Sequence, residues 1–214
     1  MTVTARAFPV RPLRDVVVVE GPDAATYLQG QVSQDVAALA VGDSAWSLVL
    51  QPQGKVDAWF RITRTGDERF ELDVDAGFGD ALVARLSRFL IRTKATIEVA
   101  ERDVDRDGGA ADEVERISAG IPAMGAELDE RTIPAEIGQW LIDASVSFTK
   151  GCYTGQELVA RIDSRGSNVP LHLRVLEVAD GATVRPGDEV HVDVSVVGAV
   201  TSAAPVVALA FVKR

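Results

Sequence analysis

One cysteine, Cys152, stands among residues that favour a reactive thiol. Lys150 lies two positions before it, and Gly151 and Gly155 on either side permit close backbone approach. Thr154 and Glu157 have the spacing of a capping box, which predicts a helix beginning after Thr154 and running through Gln156, Leu158, Val159 and Ile162. Cys152 would then sit just ahead of a helix N-terminus, where free N–H groups and the positive helix end favour a thiolate. Glu157 and Arg161 are four apart, in the favourable order for an ion pair. A lone cysteine is also commonly a small buried hydrophobe, so the segment carries two readings, reactive thiol and core residue. The pattern argues against a Cys–His hydrolase, which needs a base within hydrogen-bond reach. The two histidines, His172 and His191, fall on the polar phase of β-patterned segments and read as exposed.

One Cys and two His cannot build a Cys/His zinc site or hold an iron–sulfur cluster within one chain. Any metal chemistry would have to pass through a partner or an oligomer. A single cysteine also forbids an internal disulfide, which fits a reducing compartment. The formal net charge of −10 speaks against general nucleic-acid binding, although Lys150, Arg161 and Arg165 would make a local basic patch. No apolar run approaches the length that spans a bilayer. The opening MTVTARAFPVRPLRD has basic residues with no apolar stretch after them, which argues for the cytoplasm.

The elements that must position Cys152 read as α+β. Asp15 to Glu20 is a valine-rich strand, and Gly21-Pro22-Asp23 opens a helix to about Gln31 with Ala24, Leu28 and Val32 on its buried face. Ala45 to Leu50 and Val56 to Thr63 are paired strands joined by the turn QPQGK. Phe70, Leu72 and Val74 alternate with acids in a further strand. Phe78, Leu82, Leu86, Phe89 and Leu90 then form a helical stripe, and Ile97 and Val99 belong to another strand. This order predicts a ferredoxin-like or related α+β unit with helices on one face of an antiparallel sheet. Glu101 to Glu115 reads as a polar loop. Arg116 to Ser167 is turn-rich with short helices. From Pro170 onward the pattern is all β, with Val190, Val192, Val194 and Val196 alternating after a turn at Gly187-Asp188, and reads as a small barrel or sandwich.

The segment KGCYTGQELVAR, Lys150 to Arg161, resembles the signature of the YgfZ-type folate-binding proteins, whose fold is that of the aminomethyltransferase (T-protein) of the glycine cleavage system. GPDAATYLQGQVSQDV, LQPQGKVDAWFRI, ISAGIPAMGAELDERTIPAE and VGAVTSAAPVVALAFVKR resemble further family segments, so the likeness covers both ends and most of the chain. The resemblance implies a tetrahydrofolate-binding accessory protein that supports assembly or repair of iron–sulfur clusters in client enzymes, including ones that modify tRNA. It carries functional roles to Lys150, Gly151, Cys152, Tyr153, Gly155, Gln156 and Glu157, with Cys152 as a redox or sulfur-handling thiol. A folate site combines an apolar slot, polar groups for the pterin edge and a cation for the tail. Gln31, Gln53, Lys55 and Arg161 are the polar candidates, and Trp59 and Tyr153 are the rings that would stack.

Two departures from the family stand out. T-proteins carry a pair of aspartates where this chain has Ala58 and Trp59. Asp57 is one position off, which on a regular strand means the opposite face, and this argues against aminomethyl transfer. The second is a reduced middle. The layout reads as a T-protein-like domain over 1–104, a polar linker over 105–115 replacing most of a second α/β unit, a signature segment over 116–168 and a C-terminal β-barrel over 169–214. The family's folate cavity lies between domains, and a homodimer would supply the missing wall. The competing readings are a folate-dependent aminomethyltransferase using Asp57, and a protein-binding module that has lost folate.

Overall fold

A computed structural model describes residues 14–100, 110–166 and 168–213. The opening residues 1–13 used for the cytoplasmic reading, and 105–109 of the polar linker, lie outside the described residues. Two antiparallel sheets carry the architecture. The first contains β1 (Arg14–Glu20), β2 (Ser44–Leu50), β3 (Val56–Arg64), β4 (Arg69–Asp75) and β5 (Thr96–Val99) in the order β2-β3-β4-β1-β5. The run β3-β4-β1-β5 is the ferredoxin-like arrangement, and β2 extends it by one strand. α1 (Ala24–Gln31) and α2 (Gly79–Ser87) are its helices. Ala24, Leu28 and Val32 are fully buried, as their spacing predicts, against Val17, Val19, Phe70 and Leu72. Each such aliphatic side chain contributes about 1.5–3 kcal/mol relative to exposure. The stripe of α2 is buried at Leu82 and Leu86 but ends there, and Phe89 is exposed just past the helix.

The polar stretch becomes helical from Ala110, because α3 (Ala110–Ser118) buries Ile117 and Arg116 against the second sheet. α4 (Pro134–Ile137), α5 (Gln139–Ser145) and α6 (Gln156–Ser164) are short, in keeping with the turn formers between them. The second sheet contains β6 (Leu171–Glu177), β7 (Glu189–Val192), β8 (Ser195–Ala204) and β9 (Val207–Lys213) in the order β6-β9-β8-β7. It is an open four-stranded sheet, and among the described residues no pairing of β6 with β7 closes the expected barrel. Four strands are too few to curl until their edges meet. The valine alternation through 190–196 is also two strands, since the chain reverses at Asp193-Val194, with Asp193 at φ 53°. An aspartate tolerates that left-handed conformation better than most residues do. One core runs from the first sheet through Ile117, Leu128, Leu141 and Ile142 to Leu173 and Leu209 of the second.

Candidate functional site

The last carbonyls of α1 have no intrahelical donors, and Lys150 supplies them. Its ammonium donates to the carbonyls of Gln29 (2.6 Å), Val32 (2.7 Å) and Gln34 (2.9 Å). Three donors meet three acceptors at the negative end of a helix. The side chain is buried, and its nitrogen lies 5.1 Å from the centroid of the Tyr153 ring. Burial pushes its pKa down to about 8, against the pull of Asp35. The charge that the sequence offers to Cys152 is thus held by α1.

The other half of the signature docks on the β2–β3 turn. Gly155 has φ 82° and Gly54 has φ 74°, both left-handed. A Cβ on Gly155 would stand 2.5 Å from the Gln51 carbonyl oxygen and 3.3 Å from the Gly54 Cα, and one on Gly54 would meet Leu158 at 2.6 Å. Only glycines permit this approach. The same conformation removes the expected capping box. Gly155, not Thr154, is the N-cap of α6, and no side chain caps it. Gln156 instead folds back, its side-chain oxygen accepting from the Tyr153 N–H at 3.3 Å. Glu157 and Arg161 pair at 3.8 Å on the exposed face of α6.

Cys152 and Gly151 are exposed between these two anchors, and the thiol is free. Tyr153, the next residue, is 7% exposed. Burial raises its pKa to about 12, so it stays a phenol, and its O–H has no partner among the described residues. The side-chain oxygen of Gln31, on the last turn of α1, is likewise buried and unpartnered. Buried polar atoms normally find partners, so two orphans on the segments that Lys150 joins are unusual. Beneath α6 lies a small apolar hollow, with room for about one water, lined by Ile133, Pro134, Ile142, Val159 and Ile162.

The remaining candidates divide. Gln53 is exposed and Lys55 half-buried on the turn that receives Gly155. Arg161 is exposed. Trp59 is buried, stacked on Trp46 at 4.2 Å with its indole N–H on the Ser145 hydroxyl at 3.0 Å, so that ring belongs to the packing under α5. Asp57 departs from simple parity, because Val49 pairs with Ala58 and Leu50 with Val56, leaving Asp57 bulged between them. Its carboxylate accepts from Arg85 on α2 at 2.6 Å, and the same guanidinium donates to the Leu50 carbonyl.

Sequence reading missed several buried charged groups, Arg85, Glu136 and Arg116 among them. Arg85 is hidden in the apolar stripe of α2, where its one signal is its position beside Leu86. Glu136 is raised by burial, with the Ile133 N–H and the Lys55 charge pulling it back. Arg116 spends all five N–H donors on Glu113, Glu127, Ser202 and the Ile121 carbonyl. Among the described residues no group of three or more His, Cys, Asp or Glu is placed to hold a metal ion.

No protein-family model matches the chain. It is 28% identical over 188 residues to an uncharacterized protein of Haemophilus influenzae, covering 72% of this chain and 67% of that one. It is 28% identical over 212 residues to the tRNA-modifying protein YgfZ of Pectobacterium carotovorum, covering 69% of this chain and 63% of the relative's length. An aminomethyltransferase of Nostoc is 28% identical over 194 residues, covering 90% of this chain and 46% of its own. The crystal structure of the glycine cleavage system aminomethyltransferase T from Bartonella henselae superposes with a TM-score of 0.74 over 94% of this chain and 76% of that one, at 17% identity. The likeness to that structure establishes a shared fold. No helix among the described residues is long and apolar enough to cross a membrane.

Proposed function

From its place among the YgfZ-type, T-protein-like proteins, we propose that this chain binds a tetrahydrofolate and acts as an accessory factor for iron–sulfur enzymes, with Cys152 as its working thiol. The observation that carries the reading is the seating of the signature. Lys150 fastens it to the end of α1, Gly155 fastens it to the Gln51–Lys55 turn, and the free Cys152 is exposed between them. The orphan Gln31 oxygen and Tyr153 hydroxyl suit the hydrogen-bonding edge of a pterin, and Lys55 or Arg161 suits its anionic tail. A bound tetrahydrofolate would supply one-carbon chemistry. The residues here bind and orient it and hold a thiol nearby. Layout and location follow the same reading: a cytoplasmic chain in which the stretch 105–115 replaces most of the family's middle unit.

A transferase would need a free carboxylate in the position of the T-protein aspartates. Asp57 is the nearby acid, and Arg85 engages it at 2.6 Å. This favours the accessory role over aminomethyl transfer.

Calorimetric titration with tetrahydrofolate tests the binding, and complementation of a deletion strain tests the thiol. Wild type and Cys152→Ala should both bind, while Cys152→Ser should fail to restore iron–sulfur enzyme activity. Absence of binding at about 0.5 mM ligand, a standard free energy weaker than about −4.5 kcal/mol, overturns the folate reading. Full restoration by Cys152→Ser overturns the role of the thiol.

A further inference from the structure

Two exposed patches of opposite charge lie on the two sheets of this acidic chain. The first is the connection from α2 to β5. Phe89 is 53% and Ile91 78% exposed there, and Arg88, Arg92 and Lys94 around them are exposed as well. From 88 to 94 the chain has three cations and no acid, against a formal net charge of −10. The second is the β7–β8 hairpin. Val192 is 59%, Val194 96% and Val196 44% exposed at its tip. Val196 pairs with His191 and Val192 with Ser195, so the two valines point to opposite faces and the tip is apolar all round. Asp188, Glu189 and Asp193 flank them, all exposed, and no Lys or Arg occurs from 186 to 199.

Each patch has an apolar centre with a charged rim, the anatomy of an interface. Their charges are complementary to each other and repel their own kind, which selects one pairing over the alternatives. We propose that a second copy of this chain docks reciprocally, the Arg88–Lys94 corner of each copy seated on the Val192–Val196 hairpin of the other. The pair then has two identical contacts and closes on itself as a two-fold dimer. Apolar contact between Ile91, Phe89 and the valines supplies the attraction, and the rim charges fix the orientation. The arrangement stands whether or not the signature binds folate, because neither patch includes a residue of that site.

Sedimentation equilibrium on the full chain decides it, with charge-swapped variants. Arg88→Glu with Arg92→Glu inverts the corner. Glu189→Lys with Asp188→Asn and Asp193→Asn inverts the hairpin, leaving one positive charge and no acid on its rim, and keeps a residue suited to the left-handed turn. Wild type should be dimeric at low salt, with a dissociation constant that rises at least about tenfold between about 0.05 and 0.5 M salt. Each swapped variant alone should be weakened by at least about tenfold. Mixed in equal amounts, the two should form a heterodimer, since both contacts are then complementary again. Ile91→Ser and Val194→Ser should weaken the dimer at every salt concentration. A monomeric wild type, a dimer indifferent to both swaps, swapped variants that fail to pair on mixing, or growth past the dimer overturns the proposal.

Discussion

Two buried polar constellations hold distant parts of this chain together, and they differ in what they leave unsatisfied. Around Arg116, α3, the turn before Glu127 and strand β8 meet, and every polar group has a partner. One oxygen of Glu127 takes the Ala123 N–H and Arg116, and the other takes the Thr201 and Ser202 hydroxyls. Around Lys150, α1 and the signature meet through three equally short hydrogen bonds, but Tyr153 and Gln31 beside them keep unpartnered atoms. The first constellation is complete as folded and reads as structural. The second leaves two buried polar atoms without a partner among the described residues. Burial and charge alone do not separate the two; satisfaction does.

Breaking the complete network should have the largest effect. Burial works against the Arg116 charge, but the Glu113 hydrogen bonds and the Glu127 charge outweigh it and raise its pKa. Arg116→Ala strands the Glu127 carboxylate, which is fully buried, and should cost about 3–5 kcal/mol in urea unfolding. Arg116→Met with Glu127→Leu removes both charges and should recover most of that loss, because the partners vanish together. A double variant as unstable as the single one would mean that the network does more than satisfy its own charges.

Lys150→Met should cost less, about 2–3 kcal/mol, since the carbonyls it leaves lie at a helix end that water can reach in part. A pH signature separates it from the Arg116 network. The Lys150 pKa is lowered from 10.5 to about 8 in the fold, so the unfolded chain binds more protons between those values. Stability from this group is therefore complete above pH 10.5 and is lost as pH falls to 8. Wild type should gain stability across that window relative to Lys150→Met. Parallel curves for the two proteins would show that Lys150 does not titrate with folding.

Tyr153→Phe sharpens the contrast most directly. Removing an orphan hydroxyl should leave the ligand-free protein as stable as before, or more stable by up to about 1 kcal/mol. If the hydroxyl meets the pterin, tetrahydrofolate affinity should fall about tenfold in the same variant, equivalent to about 1.4 kcal/mol. Loss of stability with unchanged affinity would return Tyr153 to the class of ordinary core residues.

Local patterns made the first sheet legible. β1, α1, the β2–β3 hairpin and β4 follow alternation or four-residue spacing that ends at turn formers, and the structure repeats them nearly to the residue. Features set by long-range geometry were not legible. Arg116 and Ser202 lie in segments 86 positions apart, and no periodicity joins them. The Thr154–Glu157 spacing suggested a cap, but the Gly155–Gly54 approach fixes a left-handed residue there and moves the helix start by one. The open edge of the second sheet depends on strand number and order, which valine alternation does not encode. At the site, the sequence identified the signature by its residue order, whereas the partner of Lys150 emerged from the fold.

The smallest effect belongs to the part of the signature outside this contrast. Glu157 and Arg161 satisfy the expected spacing, yet they meet at 3.8 Å with the Glu157 side chain 93% exposed. An exposed pair at that separation contributes little, so Arg161→Ala should shift unfolding by no more than about 0.5 kcal/mol. Its effect on tetrahydrofolate binding is the more telling measurement. A cation that holds the anionic tail should lose affinity about threefold or more on removal, and that loss should shrink as salt is raised. Lys55→Ala, the other candidate for the tail, gives the matching arm. Whichever substitution produces the salt-sensitive loss identifies the end of the signature towards which the ligand's tail runs. If neither does, a tetrahydrofolate bound here would keep its tail in solvent and make its contacts on the pterin side alone.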